Sequence, residues 1–330
     1  MKAAYIKTPG PADAIIYGDL ADPTPGEGEV LVRMKAVAVN PIDTYIRGGL
    51  VKAALPSPFV IGSDLAGVVE KCGPKASRYK PGDRVWASSQ GMAGRQGSFA
   101  ELVAVNEQWL YPTPAGVDDR AAAAVALVGI TAHLGLFKHA KLQSGEILFV
   151  NGGTGGVGSM VVQMAKAAGA RVITTAGSDE KVAECRTLGA DLALNYKTAD
   201  VDAEVRKFAP NGVNVWWETL REPDFDRTVG LLSLRGRMVL MAGRDARPVF
   251  PVGPFYVKDC SLHGFAMFNS SVAEHRACAD DINRWLAEGK LKPKIGREFK
   301  LSEAAAAHKL QEDNTLHKAG TLAGKIVLVP

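Results

Sequence analysis

The sequence predicts an α/β protein in which a doubly wound parallel sheet is joined to a mainly β, barrel-like domain. Two observations support this prediction. Short strands separated by proline and glycine fill residues 1–124, and strands then alternate with helices. A chain of 330 residues also exceeds the usual size of one domain, which favours two. The change of pattern places the domain boundary near residue 125.

The first domain is predicted from short apolar runs. Three of them have the composition of strands, namely Val30–Val37, Ala66–Glu70 and Asp83–Trp86. Turn-rich connectors such as PGEGEV and YPTPAG separate such runs. The apolar segment Ala121–Phe137 follows and is long enough to predict a helix.

Beyond this helix, apolar strand patterns alternate with amphipathic helix patterns. The predicted elements are strand Ile147–Val150, helix Ser159–Ala168, strand Arg171–Thr175, helix Asp179–Leu188, strand Leu192–Asn195, helix Val201–Phe208, strand Val213–Trp217, helix Asp224–Leu232 and strand Arg237–Met241. Such alternation is typical of a parallel, doubly wound sheet. Cys260–Phe265 would be the sixth strand, at an edge where it can pair with a second subunit. Ser271–Glu288 is a long amphipathic helix, and the tail adds a helix and a closing strand.

A glycine loop follows the strand Ile147–Val150. Gly153, Gly155 and Gly158 have the spacing G-x-G-x-x-G, which alone is weak evidence, but here they stand between a strand and a helix in a βαβ unit. One glycine allows a sharp turn, one lets the backbone approach a pyrophosphate, and one lets helix and strand pack closely. The helix start directs N–H groups at the phosphates. The expected dinucleotide-binding residues are Gly153, Thr154, Gly155, Gly156, Val157 and Gly158.

The second strand of this unit indicates which dinucleotide binds. NAD sites place an acidic residue about twenty positions past the glycine loop, where it accepts hydrogen bonds from ribose hydroxyls. Here the strand is followed by Ala176, Gly177 and Ser178, without a carboxylate. Asp179 and Glu180 come after Ser178, which has the character of a helix N-cap, so they are expected to serve the first helical turn. The pattern favours NADPH over NADH.

Composition sets further limits. A net charge of +4 over 330 residues, without a concentrated basic tract, does not argue for nucleic acid or a membrane surface. The four cysteines are far apart in sequence, and the N-terminus lacks the apolar segment of a signal peptide. We therefore expect a cytoplasmic protein without a disulfide framework and without a membrane span.

Four polar residues, Asn40, Asp43, Tyr45 and Arg47, fall within eight positions after an apolar strand. This density predicts a reaction site, although a capped surface turn gives the same pattern. Asp64 is a further polar candidate, and a buried structural role is equally compatible with its position.

Five motifs spread over the whole chain resemble the medium-chain dehydrogenase/reductase superfamily, and within it the zinc-free, ζ-crystallin-like quinone oxidoreductases. They are AVNPIDTYIRGG (38–49), IGSDLAGVV (61–69), LVGITAHLGL (127–136), NGGTGGVG (151–158) and AGKIVLVP (323–330). The resemblance implies a GroES-like catalytic domain built from residues 1–124 and 267–330. It also implies a Rossmann domain for NADPH over residues 125–266.

The zinc-dependent members of the superfamily provide a contrast. By this resemblance, the positions of their zinc-binding cysteine and histidine residues are occupied here by Asn40, Ser63 and Leu127. The region near residues 87–98, where their structural zinc lobe would fall, contains no cysteine. Zinc sites need three or four N, S or O ligands, so no metal is expected. Hydride transfer to an acceptor that is already electrophilic needs no such Lewis acid.

The resemblance also implies residue roles. Asn40 would hydrogen-bond the cofactor or acceptor, Tyr45 would orient the acceptor or relay a proton, and Asp43 and Arg47 would hold the segment in place. Further cofactor contacts are implied for Thr131, Ser178, Lys181, Tyr196, Gly243, Phe265, Ala266 and Lys325. Lys325 would lie near the adenosine phosphate. A solvated helix lysine and simple loop packing are the alternatives for Lys181 and Tyr196.

Together these features predict an NADPH-dependent, zinc-independent quinone reductase that is a homodimer. One alternative is an enone or 2-alkenal reductase with the same cofactor and fold. An alternative of another class is an NADPH-binding protein with little turnover, either crystallin-like or RNA-binding. The absence of an arginine-rich or aromatic-interleaved segment weighs against RNA.

Overall fold

The computed structural model describes residues 1–52, 54–317 and 319–330, and its internal contacts divide the chain into two compact units. The first unit comprises Met1–Val128 and Ser271–Pro330, and the second comprises Gly129–Ser270. The chain leaves the first unit after residue 128 and returns to it after residue 270. Both boundaries lie four residues after the positions expected from the sequence, which were 124 and 266.

The first unit begins with β-strands. In chain order its elements up to the crossing are β1 (Lys2–Ile6), β2 (Ile16–Asp19), β3 (Glu29–Val39), α1 (Pro41–Arg47), β4 (Phe59–Val60), β5 (Asp64–Cys72), β6 (Arg84–Ala87), β7 (Leu102–Asn106), β8 (Leu110–Pro112) and α2 (Asp119–His133), the last of which continues as a π-helical turn to His139 in the second unit. The three predicted strands are confirmed as parts of β3, β5 and β6.

The second unit alternates strands and helices as predicted. Its elements are β9 (Ile147–Val150), α3 (Gly156–Ala167), β10 (Arg171–Ala176), α4 (Asp179–Thr187), β11 (Leu192–Asn195), α5 (Val201–Phe208), β12 (Val213–Glu218), α6 (Phe225–Leu231), β13 (Leu232–Leu240), α7 (Val252–Val257) and β14 (Ser261–Gly264). Within residues 129–270, all of which are described, six parallel strands form one sheet in the order β11-β10-β9-β12-β13-β14. The predicted sixth strand is therefore at an edge.

The chain then returns to the first unit with α8 (Val272–Ala287), β15 (Ile295–Lys300), α9 (Ala304–Thr315) and β16 (Lys325–Val329). β16 pairs with β3, which places the end of the chain beside the start of α1. In the described part of this unit the larger sheet runs β15-β16-β3-β5-β6-β8, with β7 also paired to β3, and a smaller sheet runs β2-β1-β4.

The parallel sheet is held by apolar residues that are buried on both faces. The rings of Phe149 on β9 and Trp216 on β12 stack with centroids 3.9 Å apart, and Trp216 and Trp217 are fully buried. The stacking joins the two strands that flank the point where strand order reverses, which is where α/β folds of this kind bind ligands.

Two predicted element boundaries were wrong. α3 begins at Gly156, three residues before the amphipathic pattern, because the glycine loop itself caps the helix. β13 begins at Leu232 and not at Arg237, so the residue predicted to end the preceding helix is the first residue of the strand. The helical stretch 119–139 is long and apolar enough to cross a membrane, but 78% of its most apolar window is buried, as in a core helix of the fold.

Candidate functional site

The glycine loop leads directly into a helix N-terminus in the second unit. β9 ends at Val150, Gly155 is the N-cap of α3, and the helix runs from Gly156 to Ala167. Because the N–H groups of the first helical turn have no acceptor within the helix, they and the positive end of the helix dipole are available to a phosphate.

The three predicted glycines are needed for different reasons. A Cβ on Gly158 would lie 2.2 Å from the carbonyl oxygen of Gly152, and one on Gly153 would lie 2.4 Å from Oγ1 of Thr174. Gly155 is exposed, and a Cβ there would meet only the Gly152 carbonyl, at 3.3 Å. Gly153 and Gly158 are thus fixed by packing, while Gly155 presents bare backbone to a ligand. The sharp turn uses Gly152, with φ of +68°, which the G-x-G-x-x-G spacing did not include.

The end of β10 has the predicted N-cap. Oγ of Ser178 accepts the N–H of Lys181 at 3.4 Å, and Asp179 and Glu180 occupy the first turn of α4. The hydrogen bond from Ser178 lowers the pKa of Glu180, and Asp179 accepts the side-chain amide of Asn195 at 2.8 Å. The two carboxylates therefore serve the helix and the neighbouring loop, as expected.

Tyr196 lies beside the same strand end. Its N–H donates to the carbonyl of Ala176, and its hydroxyl would be 2.6 Å from a Cβ on Gly177, so the phenol ring covers that glycine. The side chain is 56% exposed. The structure thus brings Ser178, Lys181 and Tyr196 around one strand end. Residues of these three types, a serine, a lysine and a tyrosine, are suited to contact a phosphate monoester.

The other expected cofactor residues of the second unit occupy varied environments. Thr131 is buried in α2, and Gly243 has φ of +80° beside the carbonyl of Arg221. The ring of Phe265 stacks on His139 with centroids 4.5 Å apart, and Ala266 is exposed. Their expected contacts with the cofactor stay predictions.

Sequence reasoning missed a pair of buried polar residues at the carboxyl ends of the central strands. Asn151 follows β9 and Glu218 ends β12, and the Nδ2 of Asn151 lies 3.0 and 3.2 Å from the two carboxylate oxygens of Glu218. A signal was present, since Glu218 is a carboxylate directly after the apolar run Val215-Trp216-Trp217.

In the first unit, three of the five candidates for the reaction site form one buried network. Nδ2 of Asn40 donates to Asp64 at 2.8 Å, and the backbone N–H of Asn40 donates to Asp43 at 2.8 Å. Ser63 and Ser88 donate their hydroxyls to Asp43 and Asp64 at 2.6 and 2.7 Å. The three candidates and the two serines are each at most 2% exposed. Asn40 is the N-cap of α1 and forms a capping box with Asp43, which explains the dense polar pattern.

Lys325 completes this network, and its expected place near an adenosine phosphate stays a prediction. Its ammonium is buried and donates to Oδ1 of Asn40 and to the carbonyl of Val39 at 2.7 Å. The pairing of β16 with β3 positions it there. Both ends of the Asn40 amide are therefore engaged inside the unit, and a contact of Asn40 with cofactor or acceptor stays a prediction.

The network contains two carboxyl groups and one ammonium without access to water, and their pKa values reflect this. Burial raises the pKa of Asp43 to about 7, the bond from Ser63 opposes this rise, and the charge of Asp64 adds to it. Burial also raises the pKa of Asp64, against the attraction of Lys325, and lowers the pKa of Lys325. A proton on Asp43 near neutral pH would balance the single ammonium.

Tyr45 and Arg47 are placed differently. Tyr45 is half-buried on α1. Arg47 is fully buried and donates to the carbonyl of Gly10 and to the carboxylate of Glu312, so it joins α1 to α9. This agrees with a geometric role for Arg47. Over residues 1–52, 54–317 and 319–330, no group of three or more His, Cys, Asp or Glu side chains is arranged to hold a metal ion.

Comparison with known proteins gives consistent matches. Residues 26–115 match the alcohol dehydrogenase GroES-like domain family, and residues 156–282 match the family described as zinc-binding dehydrogenase. The chain is 33% identical to the quinone oxidoreductase of Rattus norvegicus over 321 residues, covering 97% of this chain and 94% of the relative. It is 28% identical to a 2-haloacrylate reductase of Burkholderia sp, covering 99% and 98%. Escherichia coli quinone oxidoreductase, solved in complex with NADPH, superimposes with a TM-score of 0.86 and 25% identity over all of both chains.

Proposed function

Because the chain belongs to the medium-chain dehydrogenase/reductase superfamily, among the quinone oxidoreductases, we propose that it reduces quinones with NADPH and without zinc. The choice of NADPH rests on the residues at the end of β10. No carboxylate stands there to accept a ribose hydroxyl, and Ser178, Lys181 and Tyr196 surround the position instead. A 2′-phosphate fits this donor set, whereas a bare ribose would lack its usual acceptor.

The glycine loop suits the rest of the dinucleotide. The pyrophosphate would rest on Gly155 and the first turn of α3, where free N–H groups supply hydrogen bonds without a positively charged side chain. When bound, NADPH supplies the hydride. The protein then contributes mainly position and orientation, which can lower a barrier substantially without a strong acid.

The donor set in the first unit favours chemistry without zinc. The carboxylate of Asp64 accepts hydrogen bonds from Asn40 and Ser88, and Asn40 is also held by Lys325. A cation at this point would have to displace the Lys325 ammonium and would find no soft ligand. Elemental analysis of purified protein is expected to find far less than one zinc per chain, and stoichiometric zinc would refute this part of the proposal.

Reduction of an activated carbon–carbon double bond is the second candidate. It is supported by the likeness to the 2-haloacrylate reductase, whose substrate by name is such an alkene. Quinones and activated alkenes both accept a hydride at an electron-poor carbon, so the same cofactor and fold can serve either.

The acceptor is tested by following the absorbance of NADPH with 1,4-benzoquinone, a naphthoquinone, 2-chloroacrylate and an α,β-unsaturated aldehyde. We expect turnover with the quinones. Turnover confined to the alkenes would replace the first candidate with the second. Tight NADPH binding without turnover on any acceptor would instead support a binding protein of the crystallin-like or RNA-binding kind.

The cofactor is tested with Lys181→Ala. Loss of an ammonium beside a phosphate should raise the NADPH dissociation constant about tenfold or more and leave NADH binding nearly unchanged. Lys207→Ala is the matched control, because Lys207 lies in the last turn of α5, away from the carboxyl ends of the strands. Equal losses for both cofactors would contradict a phosphate role for Lys181.

A further inference from the structure

Asn151 and Glu218 meet across the point where the order of the parallel strands reverses. β9 is followed along the sheet by β10 and β11 on one side and by β12, β13 and β14 on the other. Ligands of doubly wound sheets bind in the crevice at this point, outside the carboxyl ends of the strands. Asn151 follows β9 and Glu218 ends β12, so their hydrogen bonds form the floor of that crevice.

The carboxylate of Glu218 has no capacity left for a ligand. One oxygen accepts the Leu220 N–H at 2.7 Å and the other accepts the indole N–H of Trp216 at 3.1 Å, and both face Nδ2 of Asn151. A carboxylate has about four lone-pair sites, and these contacts use them. With 1% of its surface exposed, Glu218 acts on its neighbours and not on a bound molecule.

The orientation of the Asn151 amide is thereby set. Since Nδ2 faces Glu218, Oδ1 points to the hydroxyl of Thr175 on β10, which donates to it at 3.4 Å. The same hydroxyl accepts the N–H of Gly152 at 3.3 Å, and the hydroxyl of Thr219 fixes the carbonyl of Asn151 at 3.0 Å. A chain of hydrogen bonds thus runs from Glu218 to the left-handed residue Gly152.

The carbonyl of Gly152 holds the conformation of the glycine loop. It accepts the N–H of Gly155 at 3.0 Å and lies against Gly158, where any Cβ would be only 2.2 Å away. A rotation of the Gly152 peptide would therefore displace the backbone that meets the pyrophosphate.

We propose that Glu218 is a positioning residue for the dinucleotide, which holds the glycine loop in its binding conformation through Asn151 and Thr175. This inference rests on the proposed NADPH dependence. It predicts a defect in cofactor affinity when the hydrogen-bond chain is broken, with little effect on the reaction once the cofactor is bound.

Two substitutions interrupt the chain at different links. In Glu218→Gln an amide NH2 replaces one carboxylate oxygen, so it opposes the Asn151 amide together with either the Trp216 indole or the Leu220 N–H. Thr175→Val removes the hydroxyl at nearly constant shape, and Thr175→Ser retains it as the matched control. NADPH binding is measured by fluorescence titration well below the melting temperature of each variant, together with kcat and the KM for NADPH.

We expect Glu218→Gln and Thr175→Val each to raise the NADPH dissociation constant about tenfold, with kcat at saturating NADPH within about twofold of wild type. Thr175→Ser should bind like wild type. Because both changes break the same chain of hydrogen bonds, the NADPH dissociation constant of the double variant should be little higher than that of the single variant that binds NADPH more weakly.

Four outcomes would overturn the inference. Melting temperatures that fall while the NADPH dissociation constants stay at the wild-type value would show a structural role alone. Losses that add fully in the double variant would show that the two residues act separately. If the wild-type chain fails to bind NADPH, the proposed function fails and this inference falls with it, whereas wild-type binding with unaffected variants contradicts the inference alone.

Discussion

His308 on α9 is a buried imidazole in the first unit. It has no exposed surface, its ring meets Phe99 edge-on at 5.7 Å, and in the described part of the chain neither ring nitrogen has a hydrogen-bond partner. Burial, together with the nearby positive charge of Arg47, lowers the pKa of His308 to about 3. The residue therefore stays neutral in the folded protein under conditions in which it is protonated in the unfolded chain.

This difference predicts acid sensitivity. The pKa of His308 in the folded protein lies below its ordinary value of 6.5. The folded state therefore keeps its full stability above pH 6.5 and loses stability as the pH falls toward 3, because the unfolded chain takes up a proton that the buried imidazole does not. By pH 5 the cost should be about 2 kcal/mol in the free energy of unfolding. In urea titrations at pH 7.5 and 5, His308→Leu should lose less stability than wild type on acidification. The exposed His317→Leu should keep the wild-type difference, and an unchanged difference in His308→Leu would contradict the prediction.

The polar cluster at 40–47 shows which residue roles local sequence can predict. The capping box joins Asn40 to Asp43, three positions later, so the spacing of polar side chains was sufficient to indicate a helix start. The partners that complete the cluster are remote, since Lys325 is 285 residues from Asn40 and Glu312 is 265 residues from Arg47. Local pattern contains no information on such pairs, and for that reason the contact between Lys325 and Asn40 was not predicted.

Among the elements, the turn from β9 into α3 depends most strictly on residue type. A methyl group on Gly158 would overlap the Gly152 carbonyl, which is backbone and cannot rotate away. Gly158→Ala is therefore expected to displace the loop, raise the NADPH dissociation constant at least tenfold and lower the melting temperature. Calorimetric titration with NADPH and a thermal melt of the same sample measure both effects.

Gly230→Ala is the matched control for this element. Gly230 lies on α6 in the same unit, is exposed, and has nothing within 4 Å of the position of a Cβ. Alanine should stabilise that helix by about 0.5–1 kcal/mol without altering NADPH binding. If Gly158→Ala behaved in the same way, the packing argument for the glycine loop would be wrong.

At the scale of the whole molecule, the doubly wound sheet was predictable because short, mainly apolar strand patterns alternate with helices. The order β11-β10-β9-β12-β13-β14 then follows from right-handed crossovers and the reversal after β11. The crevice floor was not predictable in the same way. Asn151 and Glu218 are 67 residues apart, and only the pairing of β9 with β12 brings them together.

The edge of this sheet leads to a prediction about assembly. β14 has β13 on one side and, within residues 129–270, no strand on the other. Leu262 on β14 is 38% exposed, and Val257, at the end of the preceding α7, is 68% exposed. An edge strand that exposes an apolar side chain is a template for pairing with another chain. A two-fold axis beside β14 would continue the sheet from one copy into the other.

We therefore expect a homodimer that forms through β14. In light scattering, the wild-type protein should have the mass of two chains. The double variant Leu262→Lys, Val257→Lys should shift the mass toward that of one chain, because burying two ammonium groups per chain opposes association. Tyr17→Lys is the matched control, since Tyr17 is 40% exposed on β2, the edge of the smaller sheet in the first unit. Dissociation by Tyr17→Lys alone would move the interface to β2, and a wild-type mass of one chain would reject the dimer.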